Sequence, residues 1–504
     1  MKASRYWPIF AVCAIAWLAI YLLLPPVMSG TDAFVFRDAG WNLAAYGHFE
    51  SAGLMYMPDL VPRLYAHYTP MMPLLFAGYL SVFPRNSYAG TVFNLLIGLA
   101  AAGVALRLVL AHPASRLRNW TAWAIAILPV LFITNDRPEA LALVLFVATL
   151  AVAGAPSARP VSAGLLIAAT FLAHPFAAIA AAIWVFALFL NRNWSGPRRW
   201  SQTVREILSA GAAALAPLIA VALLYHALDP TSLTRFVNHS RGERSGIRIG
   251  MHGGEPGGVL GGIRWSAFGV SGLAAWNYLS SLVAVLLLIA WGLVRGKLDK
   301  KEWTQAAAAV ACSLAALVVF PYQYNYVIAL AFLLPLAFLI ANSYRSRLAP
   351  VGMTLLLLVL ASRVPILGFS LLVRSEQGPS YRAALQQPLV LRSHIASPDA
   401  PITVEGDSYD VFKPQFHRMI HLRDTDNIHD FAELAGVANC YDGYHGNGPR
   451  PFPERLNAAQ FHLIQADPEH LWISLFGHRV MRAQWGYGCD LYVRNSGSSS
   501  GDAH

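Results

Sequence analysis

PIFAVCAIAWLAIYLLLPPVM (Pro8–Met28) runs straight into SGTDAFVFRDAGWNLAAYGHF (Ser29–Phe49), and the change of character between them decides the class of fold. The first stretch holds no Asp, Glu, Lys or Arg. A helix needs about 20 apolar residues to cross the hydrocarbon core of a bilayer, and this run is that long. It exceeds the apolar segment of a signal peptide, about 7–15 residues, so it reads as an uncleaved first span behind the basic leader Lys2 and Arg5. A signal peptide ending near Gly30 is the alternative. The second stretch brings the first carboxylates, Asp32 and Asp38, just past the membrane.

Further apolar runs follow at Ser87–Leu110, Trp120–Ile133, Ala140–Ala155, Val161–Leu172, Pro175–Leu190, Ile207–Tyr225, Gly272–Val294, Ala306–Phe320, Tyr326–Ile340 and Val351–Leu372. They predict about eleven spans in all. Composition agrees: 56% of the 504 residues are hydrophobic and 13% charged, against about 25% charged in a soluble domain. The expected fold class is a polytopic α-helical membrane protein with a small C-terminal α/β domain. The net charge of +10 is a matter of membrane topology and calls for no nucleic-acid partner.

Lys and Arg in short loops set the orientation. With the N-terminus inside, the inner loops hold Arg107, Arg116 and Arg118; Arg159; Arg192, Arg198, Arg199 and Arg205; Arg295, Lys297, Lys300 and Lys301; and Arg345 and Arg347. Counting Met71–Phe83 as a span would move these later clusters outside. That segment, which opens on Pro70 and Pro73, therefore reads as a re-entrant or interfacial helix. The outer side then receives Ser29–Asn86, the Asn135–Glu139 turn, His226–Val270 and everything after about Val373.

Residues 1–373 form the expected membrane domain, 374–495 a soluble outer domain, and 496–504 a Ser/Gly-rich disordered end. Pro401–Glu405, Phe461–Gln465 and Cys489–Val493 read as strands, and Tyr409–Met419 and Asn427–Ala435 as helices. Cys440 and Cys489 both fall in this outer domain. Outside the cytoplasm two cysteines in one domain are expected to form a disulfide.

Three places carry candidate chemistry. A carboxylate beside an apolar wall at the membrane surface gains basicity by desolvation, so Asp32 suits a general base acting on a hydroxyl. The simpler role for Thr31 or Asp32 is to cap the following helix. Asp136, Arg137 and Glu139 crowd into TNDRPEA (Thr134–Ala140), where Pro138 and Glu139 also suit the start of a helix. Arg235, Arg241, Arg244, Arg248 and Arg264 lie in an outer, glycine-rich loop without a lysine. Guanidinium forks match phosphate oxygens; an amphipathic segment on anionic headgroups is the other reading. His174, before Pro175, faces either a polar headgroup or its own helix-breaking turn. The tail histidines show no metal-ligand spacing, and no metal or cofactor is expected.

In the order they occur, Asp32, HYTPMMPLLFAGYL (His67–Leu80), RPEALAL (Arg137–Leu143), AHPFA (Ala173–Ala177) and YQYNYVIALAFLLPL (Tyr322–Leu336) resemble the GT-C superfamily of membrane glycosyltransferases. The resemblance is to bacterial relatives of the protein O-mannosyltransferases and aminoarabinose transferases, and it covers about the first 370 residues. It implies inverting transfer of a sugar from a polyprenyl-phosphate donor to a glycan, lipid or protein acceptor on the outer face of a bacterial inner membrane. The essential acid of the first outer loop maps to Asp32. Many members carry two adjacent acids or an acid–x–acid there; this chain has Asp32, Ala33 and Phe34, with Asp38 further on.

The reading that follows makes Asp32 the base, with Asp136 and Glu139 orienting substrate. Asp38, Arg137, His174 and the five loop arginines would contact substrate. The alternatives are a lipid or glycan transporter or flippase, a membrane ligase or polymerase of different layout, and an inactive lipid-binding member. Against transport, the spans lack acids apart from Glu139 at an end, where ion-coupled carriers place them inside.

Overall fold

The computed structural model describes residues 6–26, 32–51, 63–66, 68–111, 138–155, 159–193, 199–238, 371–372, 374–375, 378–404, 408–421, 431, 433–441, 452–453, 456–466, 472–475, 478–482 and 485–495, with isolated positions at 287, 290, 294 and 308. The spans expected at Trp120–Ile133, Gly272–Val294, Ala306–Phe320, Tyr326–Ile340 and Val351–Leu372 lie wholly or almost wholly outside the described residues, as does the end at 496–504. The chain divides into two compact units. One comprises 1–13, 97–132 and 138–367, the other 14–96, 133–137 and 368–504.

The remaining expected spans are helices: α1 (Tyr6–Leu23), α5 (Ala89–Ala111), α6 (Glu139–Gly154), α7 (Pro160–Ala173), α8 (Pro175–Asn193) and α9 (Arg199–Leu228). Pro175–Asn193 and Trp200–Leu228 are each long and apolar enough to cross a bilayer. Along α9, Leu208, Leu215, Ile219, Leu223 and Leu224 are all more than half exposed. A stripe of this kind is a liability in water and the ordinary surface of a helix in lipid. In α6–α9 the helices meet through small residues. Ala153, Ala163 and Ala210 share a cluster with Val185 and Phe189. Polar contacts gather where α8 and α9 join: Asn193 Nδ2 donates to Glu206 Oε2 at 2.9 Å, and Arg192 pairs with the same carboxylate at 2.7 Å.

Between α1 and α5 lie α2 (Asp32–Phe36), α3 (Asp38–Tyr46), the paired short strands β1 (Glu50–Ser51) and β2 (Arg63–Leu64), and α4 (Met71–Leu80). At 10 residues α4 is shorter than α6 and α7, which have 16 and 14, and all three fall below the length that a hydrocarbon span takes, about 17.

The C-terminal part opens on α10 (Gly378–Ala384) and α11 (Gln387–His394). Then come β3 (Ile402–Val404), α12 (Tyr409–Phe412), β4 (Met419–His421), β5 (Gly436–Tyr441), β6 (Phe461–Gln465), β7 (Trp472–Leu475), β8 (His478–Arg482) and β9 (Trp485–Arg494). The main sheet has the order β4-β3-β5-β9-β6. β3 is parallel to β4 and β5, while β9 runs antiparallel to β5 and β6. It is a mixed α/β sheet in which β3, β6 and β9 lie at positions read as strands from the sequence, while β4 and β5, and the separate pair β7 and β8, were not read there. The helix expected over Tyr409–Met419 is shorter, because Pro414 has no N–H to give the Asp410 carbonyl, and Met419 already belongs to β4. The described end of the Asn427–Ala435 segment is not helical: the Ala435 amide bonds to Pro401 O at 2.9 Å and leads into β5.

Candidate active site

The residues just past α1 are held by the C-terminal part of the same unit. Ala33 and Phe34, in α2, are fully buried in one core with Tyr409, Phe412, Met419, Cys440 and Leu491. The Phe34 ring meets Tyr409 edge-on at 4.7 Å and His421 at 5.3 Å. Arg374 Nε donates at 2.9 Å to the carbonyl of Pro25, two residues past the end of α1. Its guanidinium lies 4.5 Å from the centre of the Tyr21 ring.

Arg37 joins α2 to α3 and is fully buried. Its two terminal nitrogens reach the two oxygens of Asp410 at 3.0 and 2.9 Å. The rings of Phe76 and Tyr409 each lie 5.6 Å from the guanidinium. Gly90 leaves it room, since a Cβ there would sit 1.2 Å from Arg37 Nη1.

Asp38 is equally buried and accepts from both sides. Oδ1 takes the Lys413 ammonium at 2.6 Å and the Tyr409 hydroxyl at 3.0 Å. Oδ2 takes Ser51 Oγ at 2.6 Å and Asn42 Nδ2 at 3.4 Å. Lys413 also donates to Asn42 Oδ1 at 2.8 Å and to the His417 carbonyl at 2.7 Å, so its three N–H groups have three acceptors. Burial pushes the Lys413 ammonium below the usual lysine range, and the adjoining Asp38 carboxylate pulls it back. Burial raises the Tyr409 phenol well above its ordinary value, reinforced by Asp38. Burial likewise pushes Tyr381 up to about 12, opposed by its hydrogen bond with Ser87.

No protein-family model matches the sequence, and no curated protein matches it. Among solved structures the chain is similar to ArnT from Cupriavidus metallidurans bound to undecaprenyl phosphate. The two are 11% identical with a TM-score of 0.58, over 99% of this chain and 100% of that one. The fold is GT-C-like.

Within that GT-C-like fold the expected site residues have different standings. Asp32 is the first residue of α2; its side chain lies outside the described part. Asp38, expected to contact substrate, is instead wholly inside, with both oxygens bonded to protein groups. Glu139 is buried at the start of α6, behind Pro138. His174 is buried between α7 and α8, where Nδ1 accepts from the Ala177 amide at 3.4 Å, the position of a cap on α8. Arg235 pairs with Asp229 at 2.5 Å and donates to Thr231 Oγ1 at 2.8 Å, within its own turn. Asp136, Arg137, Arg241, Arg244, Arg248 and Arg264 lie outside the described residues. Cys440 and Cys489 are joined in a disulfide. Among the described residues no three His, Cys, Asp or Glu side chains converge as metal ligands.

Sequence reading missed Arg37, Tyr409, Asp410 and Lys413. One signal was present: in SYDVFK (Ser408–Lys413) Tyr409 and Lys413 are four apart, the spacing of one helix face. Their partner Asp38 lies 371 residues from Tyr409 and still further from Lys413, beyond the reach of any local pattern.

Proposed function

We propose that this protein is an integral membrane glycosyltransferase of the bacterial inner membrane. It would move a sugar from a polyprenyl-phosphate donor to a hydroxyl of a glycan, lipid or protein acceptor on the outer face. The observation carrying this reading is a GT-C-like fold matched along the whole chain to a protein whose structure holds undecaprenyl phosphate. Residues 1–373 would be the membrane domain, with an inside N-terminus, and 374–495 an outer domain that covers the site or reads the acceptor.

Asp32 is the proposed general base. It begins a short helix directly after the first apolar helix. There its carboxylate would take the acceptor proton as the hydroxyl attacks the anomeric carbon, inverting it. Asp136 and Glu139 would orient the substrates. Arg137, Arg235, Arg241, Arg244, Arg248 and Arg264 would hold the donor phosphate and stabilise the charge that develops on the departing polyprenyl phosphate. His174, which caps α8, would lie toward a polar headgroup. Nothing in the scheme requires a metal.

The test is Asp32→Asn in membranes supplying lipid-linked sugars. Asn caps a helix about as well as Asp but takes no proton. Transfer should fall roughly 100- to 10,000-fold, the worth of general-base assistance, with expression and melting unchanged. Full transfer by Asp32→Asn, with loss in Asp136→Asn or Glu139→Gln, would move the base to the second outer loop. Indifference to all three acids would leave transport or lipid binding as the better function.

A further inference from the structure

We propose that Tyr409, Asp410 and Lys413 of the C-terminal domain are positioning residues for the transfer reaction, locking the helical segment that begins at Asp32. The inference rests on the reading of Asp32 as the base. Its physical content is separate, because the lock is a set of buried contacts between residues 33–51 and 409–413.

The segment is anchored at three successive places. Ala33 and Phe34, beside Asp32, sit in the core of the C-terminal domain. Arg37 is held in two bonds by Asp410. Asp38 is held by Lys413 and Tyr409. Backbone bonds link the anchors: the Arg37 amide reaches Ala33 O at 3.0 Å, and the Trp41 amide reaches Arg37 O at 2.9 Å. A direction imposed on Arg37 and Asp38 is thereby imposed on α2.

Stability alone does not call for this construction. Buried ion pairs are often replaceable by apolar groups without loss, whereas a bidentate pair fixes angle and register. Here the donors and acceptors saturate one another: Lys413 has an acceptor for each proton, and both Asp38 oxygens are filled. The arrangement leaves no hydrogen-bonding capacity at Lys413 for a substrate and leaves α2 a single register. α2 is five residues long, below the length at which a helix holds itself in water, so its geometry is lent by its contacts. A base displaced by about 1 Å can lose two orders of magnitude in rate, which gives such a lock a catalytic consequence.

The experiment uses the full chain in membranes or detergent. The variant Asp38→Asn/Lys413→Met removes both charges together, so neither is left buried alone. Tyr409→Phe removes one bond to Asp38 and keeps the pair, and serves if the double variant folds poorly. Amide hydrogen exchange is followed in residues 32–46 and, as the internal reference, in β3 and β5. Transfer is measured as kcat and as KM for the polyprenyl-phosphate sugar.

The expected result is faster exchange confined to residues 32–46, with β3 and β5 protected as in the unaltered protein. kcat should fall roughly 10- to 100-fold in the double variant and several-fold in Tyr409→Phe, with KM within about twofold. Unchanged exchange in residues 32–46 would overturn the lock. Faster exchange with kcat unchanged, in a protein that Asp32→Asn inactivates, would overturn the positioning role and leave a structural contact. If Asp32→Asn retains transfer, the base is misassigned and the positioning role falls with it; the exchange data still decide whether the lock exists.

Discussion

The two compact units solve packing in opposite ways. Helices α6–α9 meet through small side chains: the Cβ of an alanine at Gly164 would lie 2.1 Å from the carbonyl oxygen of Ala210. In the other unit, residues 32–51 and 378–494 pack around charges that are fully buried, Arg37 with Asp410 and Asp38 with Lys413. The contrast follows from the solvent. Lipid tails are as apolar as leucine, so helices in lipid gain little by hiding leucine and associate where backbones come close. Outside the lipid, burial of apolar surface supplies the drive, and ion pairs add orientation to it. A substitution therefore does most harm in the first unit by adding volume, and in the second by stranding a charge.

The largest effect is expected from Asp410→Ala. It leaves the Arg37 guanidinium fully buried without its carboxylate, which costs about 3–5 kcal/mol. Adding Arg37→Met should recover most of the loss, since a neutral pair of suitable volume is often no less stable. Thermal melting of the detergent-solubilised protein checks both. Equal melting of the single and double variants would break the contrast, because stranded charge would then not be the cause.

Next comes Cys440→Ser/Cys489→Ser. The bond closes a separation of 49 residues, for which the chain-entropy relation gives about 4 kcal/mol, with strain and residual structure reducing it. Protease resistance of the C-terminal domain should fall while that of α6–α9 holds. Equal sensitivity in both units would mean that they unfold as one.

Gly164→Ala should cost about 1–3 kcal/mol by overpacking, read as a lower melting temperature in detergent. Ala is the better helix former by about 1 kcal/mol, so propensity alone predicts the opposite sign. A stabilised Gly164→Ala protein would show that α7 and α9 separate easily.

The smallest effect is absent at neutral pH. Tyr381 is pushed up to about 12 from an ordinary 10.0, by burial first. A raised folded-state value means that the contribution is present below pH 10 and is lost as pH rises from 10 through about 12. Tyr409 shifts in the same direction. Lys413 shifts downward, so its own contribution to the slope ends by about pH 10.5. Unfolding followed above that point by near-ultraviolet circular dichroism should show stability falling with pH, and Tyr381→Phe should lessen the slope.

The legible parts of this protein were those whose cause is local. Apolar runs placed α1 and α5–α9, because hydropathy over about 20 residues is a property of one segment. Alternation and turn residues placed β3, β6 and β9. Pro414 marked the end of α12 in plain view, and the longer helix over Tyr409–Met419 ignored it. The partners of Asp38 were not legible, for a different reason. Its acidity and its place beyond the first span suited substrate contact, and nothing near it in the chain announced Lys413 or Tyr409.

The sequence by itself determined that the chain belongs in lipid, roughly where its described apolar helices lie, and that its last part is an α/β sheet carrying two cysteines. Hydrocarbon thickness, helical rise and the strand period act on neighbouring residues, so composition and spacing suffice. Only the tertiary structure decided which charges are buried together and that α2, with Asp32 at its head, is built into the C-terminal core. Pairing of Arg37 with Asp410 spans 373 positions. It depends on how the intervening chain returns, and no residue type or spacing encodes that by itself.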